Sequence, residues 1–441
     1  MAEFEHGKSF DSNVNRKKQS LGGNIGSKWK KYPLGSDVDK EEVFDFPYIV
    51  HEDTVSFIQE HGRIMFIIRG PPSTGKATLS DMILKKYPNS SYCCADRYFN
   101  RSFPNERTRE SIKESHEYCQ KKAEAACLNN QSPIIIQNTH IRKWEMQYYL
   151  DLAAVHNYTI IMAVTLYKFD VTLEALEKNN TDGLTLEYFK GRMRKWSDVM
   201  PNFTGWFLCP QDSYYLLYSV REIFEALLGD GKFCSVFDAY NIDDIFARFK
   251  ARRLLFCLAK HSKYFHEMKK YYLSDTVQES YGKMFEITVK GYLISSSSIV
   301  GITEVSQEME PLIMKNNDDE LDIPVHALRI DNNICEYSKS IPFEKSSEVS
   351  KTAILNDWDD GEDISLCSCN FIDIAHNDDT LFDFPKLQQQ LTDAALLMKD
   401  ERTQSVELEN GVLSYRLPNN EWLVKAPQKI TFKSIFTGLY T

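Results

Sequence analysis

The stretch Gly70-Pro71-Pro72-Ser73-Thr74-Gly75-Lys76-Ala77-Thr78 carries the strongest chemical signal in the chain. Glycines at either end let the backbone curl so that successive N–H groups face one anion. Lys76 adds a point charge, and a following helix N-terminus adds a favourable dipole. The expected chemistry is phosphate cradling by Gly70, Ser73, Thr74, Gly75, Lys76, Ala77 and Thr78, with ATP or GTP as ligand. The alternative is a relic loop that keeps the fold and binds nothing. One position departs from the pattern. A hydroxyl residue normally follows the lysine and ligates Mg²⁺; here it is Ala77. Thr78 is rotated by about 100° from that position on a helix. Farther on, the apolar run 134–136 ends at Gln137-Asn138. An acidic residue is usual there to hold the metal through water, so Gln137, or Asn138 in the adjacent register, makes a second neutral position. Phosphate cradling survives these changes, but Mg²⁺ is doubtful. Asp96, in Ala95-Asp96-Arg97-Tyr98, is a candidate base for a hydroxyl acceptor; the competing reading is a helix-capping aspartate.

These groups need a strand before the loop and a helix after it. Residues 63–69, 132–137 and 158–165 read as short, continuously apolar strands. Residues 79–85 and 107–128 read as helices, the latter alanine-bearing and free of Gly and Pro. Continuous rather than alternating strands predict an α/β domain over 43–230, a parallel sheet with helices on both faces. From 231 to 441 the texture changes to an α+β domain with mostly antiparallel pairing. Strands are expected at 254–259, 285–295, 364–369, 421–425 and 429–440, with a helix at 385–398 that lines up Leu387, Leu391 and Ala395.

Composition narrows the classes. The 441 residues carry a net charge of −11, a poor balance for coating duplex DNA. Residues 1–31 hold seven Lys or Arg against three Asp or Glu, a surplus of four that leaves −15 for the rest. Residues 1–42 are expected to be a disordered basic tail able to touch anionic lipid or RNA, or to have no partner at all. No run of about 18 apolar residues predicts a membrane span, and the N-terminus lacks a signal-peptide layout. The ten cysteines include no C-x-x-C pair, the pattern of small buried thiols in a reducing, cytoplasmic setting.

Further along, the sequence resembles a known family. Pro133-Ile134-Ile135-Ile136-Gln137-Asn138-Thr139-His140 with Trp144-Glu145-Met146 resembles polynucleotide-kinase-like P-loop proteins. Asn202-Phe203-Thr204-Gly205-Trp206-Phe207-Leu208 resembles the segment joining the two halves of the 2′,3′-cyclic-nucleotide 3′-phosphodiesterase family. Gly411-Val412-Leu413, Trp422-Leu423 and Ile435-Phe436-Thr437-Gly438-Leu439-Tyr440 look like its last hairpin and strand. The resemblance runs from about 43 to 441. It implies a two-histidine-phosphoesterase-like second half that hydrolyses 2′,3′-cyclic nucleotides to 2′-nucleotides. The prenylated C-terminal cysteine that the resemblance implies for vertebrate members is not expected here, where the sequence reads Leu439-Tyr440-Thr441.

That chemistry needs two His-x-Thr/Ser pairs, one imidazole as base, the other as acid, and two hydroxyls on the phosphate. None of the ten histidines is followed two residues later by Ser or Thr. By the family pattern the first pair falls at Phe256 and Leu258, and the second at Asp363 and Ser365. His261 sits at an odd offset from Phe256 and would face the other side of a strand. Asp363 could serve as a base, but it has no acid partner and would repel a cyclic phosphate. The expectation is a catalytically degenerate member of the family that acts by binding nucleotide, and RNA or a protein partner. The alternatives are an active phosphodiesterase with non-standard groups, and a P-loop 5′-hydroxyl polynucleotide kinase using Asp96.

Overall fold

The computed structural model describes residues 31–35, 38–99, 107–243, 250–251, 254–260, 265–304, 306–313, 370–376, 384–398, 400, 402–408 and 411–440. The tail expected over 1–42 lies largely outside these residues. So does the strand expected at 364–369.

The first sheet is built as its apolar runs predict. Its strands are β1 (Ile64–Arg69), β2 (Ser91–Cys94), β3 (Ile134–Gln137) and β4 (Thr159–Val164). They lie in the order β2-β3-β1-β4, all parallel. Every residue of β1 and β3 is buried, because helices cover both faces. On one face Phe66, Ile68, Ile135 and Ile161 meet Leu79 and Ile83 of α1 (Lys76–Lys86). On the other, Met65, Ile67 and Ile136 meet Cys119 and Ala123 of α2 (Arg109–Leu128) and Met146 of α3 (Trp144–Val155). Thr108 caps α2, its hydroxyl accepting from the Ser111 N–H at 3.1 Å.

The second sheet is antiparallel. It contains β5 (Phe203–Leu208), β6 (Phe256–Lys260), β7 (Met284–Ile294), β8 (Ser298–Glu304), β9 (Asn370–His376), β10 (Gln404–Glu407), β11 (Leu413–Arg416) and β12 (Trp422–Leu439). The path runs β7-β8-β9-β6-β5-β12, and β12 also pairs with β7, so those six strands close a ring. The helix α4 (Pro210–Leu227) follows β5, and α5 (Phe265–Tyr272) precedes β7. The helix α6 (Phe384–Leu397) sets Leu387, Leu391 and Ala394 against Leu293, Val300 and Leu423.

Two features differ from the sequence expectation. Residues 203–208, read from sequence as joining the halves and inside the bounds 43–230, form a strand of the second sheet. It lies between β6 and the far end of the chain, with Trp206 opposite Phe436 and both fully buried. Residues 421–425 and 429–440 are one strand rather than two. The register jumps from Gly291↔Lys425 to Val289↔Ile430, so the interruption around Pro427 becomes a bulge in a continuous element.

The two halves share a core. The outer edge of β4 would expose unpaired backbone groups. Instead the Thr437 hydroxyl donates to the Ile160 carbonyl at 3.0 Å, and the Met162 N–H reaches the Tyr281 hydroxyl at 3.4 Å. Tyr281 and Tyr440 hydroxyls pair at 2.9 Å beside them. Lys269 of α5 lies 3.2 Å from Asp198, which also accepts from the Tyr167 hydroxyl at 2.7 Å. Thr437→Val removes the donor to a buried carbonyl and is expected to cost about 1–3 kcal/mol. Urea denaturation of the full chain checks it; an unchanged midpoint would show that this edge contact contributes nothing.

Candidate nucleotide site and the second-half motif positions

The loop between β1 and α1 is shaped by three close approaches. A Cβ on Gly70 would lie 2.1 Å from Thr165 Oγ1 and 2.6 Å from Thr74 Oγ1. A Cβ on Gly75 would lie 2.8 Å from Phe44 Cζ, and Gly75 has φ 76°. Ser73 adopts φ 70°, so the chain turns through left-handed conformations at 73 and 75. Such turns aim successive N–H groups into one concavity. Thr74 holds the loop from beneath, with its hydroxyl 2.8 Å from the Pro71 carbonyl and 2.7 Å from Thr165 Oγ1. Thr74 is thus a support of the loop and fully buried. Ser73 Oγ is buried without a hydrogen-bond partner.

Lys76 opens α1 and its ammonium donates to the Pro71 carbonyl at 2.9 Å. Burial pulls the ammonium down to about 8, against the opposing pull of Asp96, Cys94 and Asp182. Ala77 is exposed and Thr78 partly so. Asp96 sits in the 3₁₀ turn Ala95–Tyr98, exposed, with Oδ1 3.1 Å from Arg107 Nη1. The residue that precedes this turn is Cys94, so Asp96 is not its cap. Gln137 is the last residue of β3. Its Oε1 is 2.6 Å from Ser80 Oγ and accepts from the Tyr92 hydroxyl at 2.8 Å.

Sequence reasoning passed over Arg69, the residue just before the loop. Its guanidinium is fully buried and donates to the carbonyls of His140, Ile141 and Ser197 at 3.0, 3.2 and 2.9 Å. It also stacks on Trp196 at 4.1 Å. Burial lowers it to about 10, so it stays charged at neutral pH. The signal was an arginine closing an otherwise apolar run. His140 lies alongside, buried, at φ 45°, its ring against Tyr149. Burial, then Arg69, push its imidazole down to about 3.

In the second half, Phe256, Cys257 and Leu258 lie on β6. Phe256 stacks on Phe207 with centroids 5.0 Å apart and 20° between planes. Phe207, Phe256 and Leu258 form one buried cluster, flanked by Phe203, Leu254 and Leu439. Cys257 has the opposite parity on the strand, with its Sγ 3.5 Å from Thr303 Oγ1. Burial pushes its thiol up to about 12. Gly205 lets β5 approach, because a Cβ there would meet the Cys257 carbonyl oxygen at 2.2 Å. Across β6, Cys257 pairs with Ile372 of β9. Asp363, Ser365 and His261 lie outside the described residues.

Comparison with known proteins covers almost the whole length. A 2′,3′-cyclic-nucleotide 3′-phosphodiesterase of Rattus norvegicus is 23% identical over 93% of this chain and 90% of its own. Over nearly its whole length the chain is thus similar to the 2′,3′-cyclic-nucleotide 3′-phosphodiesterases. The Pongo abelii member is 24% identical over 64% of this chain and 68% of its own. Residues 65–182, which include the P-loop, match the AAA domain family. A solved fungal RNA kinase aligns with 86% of this chain and 100% of its own, at 8% identity and a TM-score of 0.28. Among the described residues no helix is long and apolar enough to cross a membrane.

His140 gives this site a pH signature. An imidazole held unprotonated when folded contributes stability above its unfolded value of about 6.5, and that stability is lost as pH falls toward 3. Asparagine tolerates the left-handed backbone at 140. His140→Asn is therefore expected to reduce the loss of stability between pH 6.5 and 5 by about 1–2 kcal/mol. Urea titrations at the two pH values check this; identical pH slopes for both proteins would contradict it.

Proposed function

We propose that this chain is a nucleotide-binding member of its family in which cyclic-phosphate hydrolysis has been lost. The observation that carries the reading is the packed cluster of Phe207, Phe256 and Leu258. A phosphodiesterase needs an imidazole and a hydroxyl at Phe256 and Leu258, facing a solvated cyclic phosphate. Phenylalanine and leucine offer no proton and no hydrogen bond. Each lost acid or base typically costs ~10²–10⁴-fold in rate. Stacked side chains at these positions also favour a dry strand face over a polar cleft.

The P-loop half supports binding. The left-handed turns at Ser73 and Gly75, the unpartnered Ser73 hydroxyl and the Lys76 ammonium suit a polyphosphate. ATP or GTP is the ligand we assign there, with RNA or a protein as a further partner of the family-derived second half. One observation favours kinase chemistry as a second reading: Asp96 lies close enough to Lys76 to raise its proton affinity, as a base beside a transferred phosphoryl group would.

Hydrolysis of 2′,3′-cyclic NADP by the purified full chain tests the main reading. Turnover at background level is expected. Robust turnover, abolished by Asp363→Ala or Ser365→Ala, would overturn it. For the P-loop, Lys76→Ala is expected to remove ATP binding in calorimetry. In the unchanged chain, affinity is expected to fall as pH rises through about 8, where the ammonium loses its proton. Above that pH the fall approaches about tenfold per unit. An affinity that stays flat from pH 7 to 9 would remove Lys76 from the site.

A further inference from the structure

Magnesium in a P-loop rests on two protein groups. One is the hydroxyl directly after the lysine, and the other is a carboxylate at the end of the adjacent strand, acting through water. The residues present do not fit that ion. The first position is the exposed methyl of Ala77. At the second, Gln137 Oε1 takes hydrogen bonds from both the Ser80 hydroxyl at 2.6 Å and the Tyr92 hydroxyl at 2.8 Å. Two donors occupy both lone pairs of an amide oxygen. Its Nε2 lies 3.8 Å from Cys94 Sγ.

The adjacent residue is equally committed. Asn138 Oδ1 accepts from the Ala95 N–H at 3.1 Å, and its Nδ2 faces Cys119 Sγ at 3.6 Å. Ser80 sits on α1 three residues past Ala77. It ties the helix to β3 through a neutral network where a metal-bound water would otherwise bridge them. Asp96, which acts on Lys76 together with Asp182, is paired with Arg107. Among the described residues no group of three or more His, Cys, Asp or Glu side chains is arranged to hold a metal ion. For an anion, by contrast, the loop still offers its N–H groups, the unpartnered Ser73 hydroxyl and the Lys76 ammonium.

We propose that this loop binds a nucleoside di- or triphosphate as the free anion, without magnesium. The proposal rests on the reading that the P-loop binds nucleotide. Its sign follows from charge. Complexing a triphosphate with Mg²⁺ removes two negative charges. With no group among the described residues to reward the metal, that loss weakens attraction to Lys76 and gives nothing back. The Gln137–Ser80–Tyr92 network is then the neutral replacement for the metal's second anchor, holding α1 against β3 whether or not ligand is present.

Calorimetry of the full chain with ATP and with ADP, in EDTA and in excess Mg²⁺, tests this. ATP affinity in EDTA is expected to equal or exceed that in Mg²⁺, within about threefold for ADP. Lys76→Ala is expected to lose binding in both buffers. Ala77→Ser with Gln137→Asp supplies both missing groups and is expected to make ATP binding at least about tenfold tighter in Mg²⁺. Ala77→Ser alone, at an exposed position, serves if the double variant does not fold, and is expected to move in the same direction. Binding by the unchanged chain that is tenfold or more tighter in Mg²⁺ would overturn the proposal while leaving nucleotide binding intact. So would variants that remain indifferent to the metal. No binding of either nucleotide in either buffer, or binding that survives Lys76→Ala, would overturn the P-loop reading itself.

Discussion

A parallel sheet covered by helices on both faces still has two edges, and the fold turns on how one of them is closed. The outer edge of β4 carries backbone groups with no strand to receive them. Side chains from the second half take that place, with the Thr437 hydroxyl on Ile160 and the Tyr281 hydroxyl on Met162. An unpaired buried backbone group costs more than a made hydrogen bond returns. The P-loop half is therefore bound to the second half by the needs of its own backbone. The second half thereby completes the first.

The same logic of satisfied polar groups shapes the nucleotide site. Arg69 closes β1 by spanning three carbonyls, which fixes the strand end from which the loop departs. Thr165, at the end of β4, meets Thr74 and leaves Gly70 no room for a side chain. The loop is thus supported from below by β4, the strand whose other edge the second half covers. Groups around it are neutral where metal chemistry calls for charge, and cationic where an anion would sit. Phe256 and Leu258 lie on β6 of the second half. The side chains there pack with Phe207 and present no proton donor or acceptor to a substrate.

Much of this was legible in the sequence. The apolar runs gave β1, β3 and β4, because strands buried on both faces need no alternation. The Gly-Lys spacing located the loop, and Leu387 and Leu391 located the buried stripe of α6. What sequence could not place depends on distant partners. Phe203–Leu208 reads as the close of the first half, but both its ladder partners lie in the second half, one of them more than two hundred residues away. Arg69 reads as a strand end until Ser197 comes to meet it. Thr74 sits in the phosphate motif yet turns inward, because Thr165 waits beneath it. The break around Pro427 was real in sequence but appears as a bulge, since the strand on each side keeps the same partner. Asp363 and Ser365, the second expected pair, lie outside the described residues.

The central claim is that the chain keeps an anion site in one half while the other half has become packing. Phosphorus NMR of one sample holding the protein, ATP and 2′,3′-cyclic AMP tests both parts together. The account predicts ATP resonances that shift with protein and a cyclic-phosphate resonance that persists unchanged. A growing 2′-monophosphate resonance, beside ATP signals that do not move, would contradict it.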